Sequence, residues 1–498
     1  MKKLVTFLGV VFSLFLSAQT VQLDKTFGNS NGFEILDGET AGDVCSLILP
    51  DGKILVSGNK VNGANLYENF IARFKTDGQI DTSFGTNGFS IIDSFNHYGC
   101  RLLLADNHIF AFFSNPDRSN PDISENSMMK FDLDGNLDTS FGNMGKVEFS
   151  QELLSDYKDN AFQDGNYLYV EVYYPVAKIK RFDIKTGVLD PTFGTNGEVV
   201  LPVLRSEDYF SEDDFMIHTS DNKILIGSVY YSTFNLYKFN MDGSVDTSFG
   251  NNGTVIVNRD YSTYNISESG GSIIVALGDY DDEGISLYKF YTSNGQPVTS
   301  FGDNGVLSME NTIYVSEIKF FSDKIYLAGE DKNEDLGLWW LNADGSYDTT
   351  FNKTGEYIET SHADIWTESF NISSDGSIIV SGEFPSGSSI IIDPDRPWRN
   401  IETYKIFLAK YLVDESLATE DLSPKAKVAL YPNPVKDMLY FSAKGKVAKA
   451  EIYDLNGRLV KTTAVSNNSV NVSSLSKGVY FIILHTDKGV VKEKFIKN

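Results

Sequence analysis

The sequence predicts an all-β protein: a seven-bladed β-propeller of four-stranded antiparallel blades followed by a small β-sandwich. Three observations carry this reading. A stretch typified by VDTSFGNNG at 245–253 occurs seven times, with its aromatic at Phe27, Phe84, Phe141, Phe193, Phe249, Phe301 and Phe351, spaced 57, 57, 52, 56, 52 and 50 residues apart. Self-similarity at such a period marks a solenoid, propeller or array. Between successive copies, a turn leads into an apolar strand (DGKILVSG at 51, DNKILIGS at 221, DGSIIVSG at 375), and a further strand precedes the next copy (FIARFK at 70, NLYKFN at 235). Finally, the 41 Gly, 35 Phe and 26 Tyr combine turn formers with strand-favouring aromatics.

The elements follow in chain order. Residues 1–19, MKKLVTFLGVVFSLFLSAQ, read as a secretory signal peptide with cleavage near Ala18 or Gln19: two lysines, an apolar run, then small residues. The run is short for a membrane span and no basic stop-transfer flank follows it. Residues 20–413 hold the repeats. Each period reads as four short strands; in the fifth these are TVIVN, YNISES, SIIVALG and SLYKFY. A lone four-stranded sheet exposes an apolar face, and packing such faces around a ring hides them all while leaving only short edges. The phased pattern DTSFGxxG, DGKILVxG, LxKFxxDGxxDTSFG resembles the delta-60 repeat, a propeller-type repeat of bacterial secreted proteins, over about residues 22–413. The resemblance implies fold and no shared activity.

Within the motif, a hydroxyl residue always precedes Phe (Thr26, Ser83, Ser140, Thr192, Ser248, Ser300, Thr350) and is suited to bonding a backbone N–H of the turn. Phe is expected to wedge between neighbouring blades. Gly follows it in six copies and Asn352 in the seventh, which predicts a left-handed backbone at this position rather than a need for a bare Cα. Val298 replaces the Asp in copy six. A catalytic reading would need a partner base, yet no His recurs with the motif, so a scaffold role is expected. DLDGNLD at 132–138 has the alternating oxygen ligands of a calcium loop but not its closing glutamate, which favours a plain Asp-Gly turn.

Parity separates two faces. In an antiparallel four-stranded blade, the short DGK-type turns and the motif turns share one face, and the irregular connections share the other. Variable loops on a rigid scaffold commonly carry function. The irregular face is therefore the expected site of function. It offers Trp398 flanked by Arg396 and Arg399 in the longest connection (384–403), which could stack on a sugar or plug the propeller mouth. It also offers His97, His362 and Asp364. Acidic connections of three neighbouring blades supply Asp213 and Asp214, Asp281 and Asp282, and Asp331 and Asp335, a candidate Ca²⁺ or basic-partner site whose alternative is a solvated rim. An enzyme such as a polysaccharide hydrolase or lyase is the rival reading, needing a carboxylate pair or a His and Tyr converging at one mouth. Cys45 and Cys100 occupy equivalent places in blades one and two; a bridge between equivalent points would require the innermost strand, so free buried thiols are expected.

Residues 414–424 form an acidic linker. Beyond it, residues 425–498 hold 13 Lys and Arg against 5 Asp and Glu, whereas the first 424 hold 29 against 63. The whole-chain charge of −26 argues against nucleic acid. YPNP, IYDLNGRLV and the terminal LSKGVYFIILHTDKGVVKEKFIK resemble the type A sorting domain of type IX secretion in Bacteroidetes; a small carbohydrate-binding or Ig-like domain is the alternative. The resemblance implies that the secretion machinery is a partner of residues 425–498. It also implies passage across the outer membrane, removal of this domain and attachment to surface lipopolysaccharide. The expected product is a secreted or outer-membrane surface-attached binding module for a glycan, a surface protein or a divalent cation, with no transmembrane segment in the mature chain.

Overall fold

The computed structural model of the protein describes residues 20–36, 44–61, 67–93, 98–114, 125–150, 152, 154, 160–172, 176–201, 215–230, 233–258, 263–278, 284–321, 324–360, 365–373, 375–391, 399–414, 429–442, 447–454, 458–465, 468–486 and 489–498. Among these residues every regular element is a strand.

Seven antiparallel sheets follow one another along the chain. Blade one shows the pattern: Cys45–Ile48 is innermost, then Ile54–Val61, Tyr67–Phe74 and, at the rim, Phe89–Asp93. The innermost strands of the other blades are Tyr98–Ala105, Ala161–Asp164, Phe215–His218, Thr263–Ser269, Thr312–Phe321 and Trp366–Ile372. Each packs on the next, and the last packs on the first, so the seven close a ring around an axis. The fold is a β-propeller.

One expectation about blade composition is corrected. TVIVN does not open the fifth blade. It pairs with Thr233–Asn240 and forms the outer strand of the fourth, while the fifth begins at YNISES. The motif is thus the hairpin between the third and outer strands of one sheet, and short hairpins join strands that pair. The consequence appears at closure. The last blade takes its rim from the N-terminal end: Thr20–Leu23 pairs with the strand Arg399–Asp414, with Thr20 opposite Asp414 and Leu23 opposite Tyr411, and Phe33–Ile35 adds to the same strand.

The core is a set of slabs between blades. The seven motif Phe side chains are at most 1% exposed. Each sits in a cluster drawn from two successive blades: Phe84 joins Leu55 and Ile71 of blade one to Ile109 and Phe113 of blade two, and Phe249 joins Leu225 and Phe234 of blade four to Ile273 and Val275 of blade five. Burying one Phe contributes roughly 1.5–3 kcal/mol. Cys45 is a free, buried thiol on the innermost strand; the Cys100 side chain lies outside the described residues.

Residues 429–498 form two further sheets. One pairs Ala429–Tyr431, Met438–Ser442 and Ser469–Asn471; the other orders Leu459–Ala464, Val447–Tyr453, Gly478–Thr486 and Gly489–Lys497. Leu439, Phe441, Ala450, Ile452, Ile482, Leu484 and Phe495 fill the space between them.

Candidate functional site

The repeated motif uses its polar groups internally. In blade one, Asp81 Oδ1 accepts the Ser83 N–H at 3.2 Å and the Ser83 hydroxyl at 2.6 Å. The same hydroxyl-to-Asp bond recurs at Thr26, Ser140, Thr192, Ser248 and Thr350. The expected role of the hydroxyl is therefore corrected: the Asp takes the backbone N–H, and the hydroxyl donates to the Asp, because a carboxylate is the stronger acceptor. The Ser83 hydroxyl bond, working against burial and helped by Lys53 and Arg73, holds the Asp81 carboxyl well below the usual range.

A residue type unnoticed in the sequence completes the device. The third strand carries a cation whose charge lies over the motif ring: Arg73 over Phe84 at 5.0 Å, Lys130 over Phe141 at 5.7 Å, Arg181 over Phe193 at 4.8 Å, Lys238 over Phe249 at 5.4 Å and Lys289 over Phe301 at 5.4 Å. Arg73 and Lys130 also pair with the motif Asp at 2.8 and 3.1 Å. The recurring Lys or Arg before an aromatic in RFK, KFD, RFD, KFN and KFY was the available signal. Copies six and seven vary the theme consistently. With Val298 in place of Asp, Lys289 keeps the bond to the next blade that Arg73 and Lys238 also make, donating to the Ala343 carbonyl at 2.7 Å. With Trp340 in place of the cation, its indole stacks on Phe351 at 3.9 Å, and Lys324 supplies the charge to Asp348 at 2.5 Å.

The six motif glycines have φ between 48° and 71°, and Asn352 has 45°. The left-handed backbone is present, but the space is tighter than expected. A Cβ on Gly302 would lie 2.1 Å from the Val306 carbonyl oxygen. At the corresponding place Asn352 donates its side-chain amide to the Glu356 carbonyl at 2.8 Å, turning a steric contact into a bond. The Asp-Gly turn at 132 is a closed unit as well: Asp132 Oδ1 accepts the N–H groups of Asp134 and Asn136 at 2.9 and 2.8 Å, and Oδ2 accepts the Asn136 amide at 2.9 Å.

Variation lies on the opposite face. There the connections between second and third strands run from Tyr230–Thr233 to Ser114–Glu125, and those between blades from Met309–Thr312 to Val200–Phe215. Of the anticipated site residues, His97, His362, Asp364, Arg396, Trp398, Asp213, Asp214, Asp281 and Asp282 lie outside the described residues. Asp331 and Asp335 are described. Asp331 closes its own turn, Oδ1 accepting the N–H groups of Asn333 and Asp335 at 2.8 and 3.0 Å. No group of three or more His, Cys, Asp or Glu is placed to hold a metal ion among the described residues. The long connection of blade seven is corrected in kind. Its two strands continue outward as a ribbon, Pro385 opposite Tyr404 and Ile391 opposite Arg399, with a bulge after Pro385.

At the root of this ribbon the structure assembles residues that the sequence reading missed. Trp366, 37% exposed, meets Tyr404 with ring centroids 4.9 Å apart. Buried Glu383 lies opposite Trp366 in register. Glu330 of the neighbouring blade accepts the Thr367 N–H at 3.3 Å, and burial pushes its carboxyl up to about 7. An exposed Trp packed on a half-buried Tyr beside polar acceptors suits the apolar face and hydroxyl rim of a sugar. Trp366 and Tyr404 are 38 residues apart in sequence, so only the strand pairing unites them.

Fold and motif together define a β-propeller scaffold carrying a terminal sandwich. That sandwich is a secretion system C-terminal sorting domain, matched over residues 429–498, and the propeller matches a β-propeller domain of unknown function at 49–84, 219–249 and 322–351. The chain is secreted or held at the outer-membrane surface by the type IX route that this sorting domain serves. No curated protein matches the sequence. Among solved structures, the β-propeller domain of the Trilobed protease from Pyrococcus furiosus is 12% identical, covering 74% of this chain and 93% of that one, with a TM-score of 0.38. A quinonprotein alcohol dehydrogenase-like protein from Bacteroides thetaiotaomicron is 13% identical, covering 62% and 65%, with a TM-score of 0.39. An uncharacterized protein from Listeria monocytogenes is 8% identical, covering 69% and 92%, with a TM-score of 0.37. No helix among the described residues is long and apolar enough to cross a membrane.

Proposed function

We propose that the protein is an exported, non-enzymatic recognition scaffold: an N-terminal signal peptide over residues 1–19 and the terminal sorting domain deliver the propeller to the exterior, where its irregular face binds an extracellular glycan. The observation that carries this reading is the Trp366–Tyr404 pair at the root of the blade-seven ribbon, with Glu383 and Glu330 beside it. The hydroxyl-to-Asp bonds that recur in the repeated motif support it from the other side, since they turn those polar groups inward to the turn. Arg396, Trp398 and Arg399, the candidates of the sequence, are proposed as further contacts for the same ligand.

Trp366 fluorescence and the thermal midpoint of the full chain, followed against a panel of soluble polysaccharides, test the proposal. A ligand at a hundred times its dissociation constant adds about 2.7 kcal/mol of stability. One polysaccharide should raise the midpoint, and Trp366→Ala with Tyr404→Ala should abolish the rise. New reducing ends or unsaturated products on longer incubation would replace the binding role with an enzymatic one. A fall with EDTA and recovery with Ca²⁺, without any glycan response, would move the site to the acidic connections.

A further inference from the structure

Among the described residues, the sorting module bonds the propeller at three turns, all on the regular face. Arg458 of the module donates an N–H to the His218 carbonyl at 3.3 Å and lies 2.9 Å from His218 Nδ1, at the first turn of blade four. The Leu459 N–H donates to Ser269 Oγ at 3.3 Å, and its Cδ2 lies 4.0 Å from where a Cβ on Gly270 would stand, at the first turn of blade five. Lys494 donates to the Pro50 carbonyl at 3.3 Å, at the first turn of blade one. In a ring of seven, blade one stands across the axis from blades four and five. A single body that meets both must cross the axis.

The module's own packing points the same way. Tyr480, Ile482 and Leu484 of its central strand fill the sandwich core, so Phe481 and Ile483 lie on the outer face. An antiparallel sheet commonly leaves that second face to water. Here Phe481, Ile483 and Tyr453 are buried and cluster with Leu459, the residue that meets blade five. Charge agrees: 13 Lys and Arg against 5 Asp and Glu in residues 425–498 face a propeller of opposite balance.

We propose that the sorting module is a plug: the outer face of its four-stranded sheet lies over the axial mouth on the regular face, so that this mouth is closed in the intact chain and opens when the module leaves. The propeller then presents two binding faces at different times. The irregular face is accessible throughout, and the regular face, with His218 stacked on Phe162 at 4.8 Å and Asn222 beside it at 3.0 Å, only afterwards.

The test uses the full chain with a site-specific protease sequence inserted in the acidic linker at 414–424. After cutting, the module should co-elute with the propeller at low salt and separate at high salt. Amides of 49–53, 218–222 and 269–271 should exchange at least about tenfold faster once it has gone. Leu459→Asp with Arg458→Glu should release the module at low salt, and Ser269→Arg should do the same from the propeller side without altering the module. Separation of the unmodified cut chain at low salt would overturn the proposal. So would unchanged exchange at 49–53 with loss of protection confined to blades four and five, because the module would then sit at the rim and leave the axis open.

Discussion

Replacing Asp81 with Val copies into blade one what copy six already carries at Val298. Arg73 is the group at risk. Its side chain is 4% exposed, and it bonds Asp81 at 2.8 Å, Ser83 at 3.0 Å, the Leu133 carbonyl at 2.5 Å and exposed Asp134 at 3.3 Å. Removing one partner of a buried ion pair typically costs about 3–5 kcal/mol, because the remaining charge stays desolvated. The two bonds from Ser83 to Asp81 add about 1 kcal/mol each. The Leu133 and Asp134 contacts persist and offset part of this, leaving an expected loss of about 3–5 kcal/mol. The double variant Arg73→Met, Asp81→Val removes the stranded charge and should lie within about 2 kcal/mol of the parent. Since repeat arrays need not unfold as one unit, native-state hydrogen exchange is the proper assay, read at the Phe84 and Gly85 amides, which bond the Asp81 and Asp134 carbonyls at 3.0 and 2.8 Å. The acid limb supplies a second readout. The Asp81 carboxyl is depressed in the folded state, so its stabilisation is present above the ordinary Asp range and fades as pH falls through the folded value; the Val variant should show a shallower acid limb. An Asp81→Val cost below about 1 kcal/mol, or a double variant weaker than the single one, would refute the buried-charge argument.

Phe249→Ala should cost about 3–5 kcal/mol in chemical denaturation by opening a cavity between blades four and five. Gly302→Ala should destabilise strongly, given φ of 50° and the Val306 oxygen 2.1 Å from its Cβ, whereas Asn352→Gly should change the midpoint little beyond its lost 2.8 Å bond. Glu330, with its carboxyl near 7, binds a proton more tightly folded than unfolded, so its contribution is fully present below pH 4 and is lost as pH rises through 7. Glu330→Gln should therefore gain stability relative to the parent between pH 5 and 8, measured by thermal melts across that range, with a ceiling of about 3 kcal/mol.

Periodicity made most of the fold legible. Phe27 through Phe351 give the repeat number, and the Asp-Gly turns separate the strands. Strand phase was not legible, because TVIVN is equally compatible with the blade before it and the blade after it; only hydrogen bonding assigns it to Thr233–Asn240. The cations over the motif rings were in plain view as RFK or KFN, but an exposed Lys and a buried one look alike in sequence, and Lys238 is fully buried. Trp366 and Tyr404 carry no local pattern at all; the ribbon's strand register brings them together. Sequence did isolate the terminal module, because its charge balance and strand pattern change together after the linker.

The rim of the last blade is the first strand of the propeller to be made, and its partner is the last. Thr20–Leu23 pairs with a strand that ends at Asp414, so the ring stays unlatched until nearly four hundred further residues have been made. A chain clipped after residue 35 keeps Phe407–Asp414 as a bare strand edge, and unpaired edges recruit other strands. Such a chain has no latch strand to offer and an edge that accepts one, so it should capture strands from other chains, which makes the intact N-terminal latch a guard against entanglement as much as a part of the propeller.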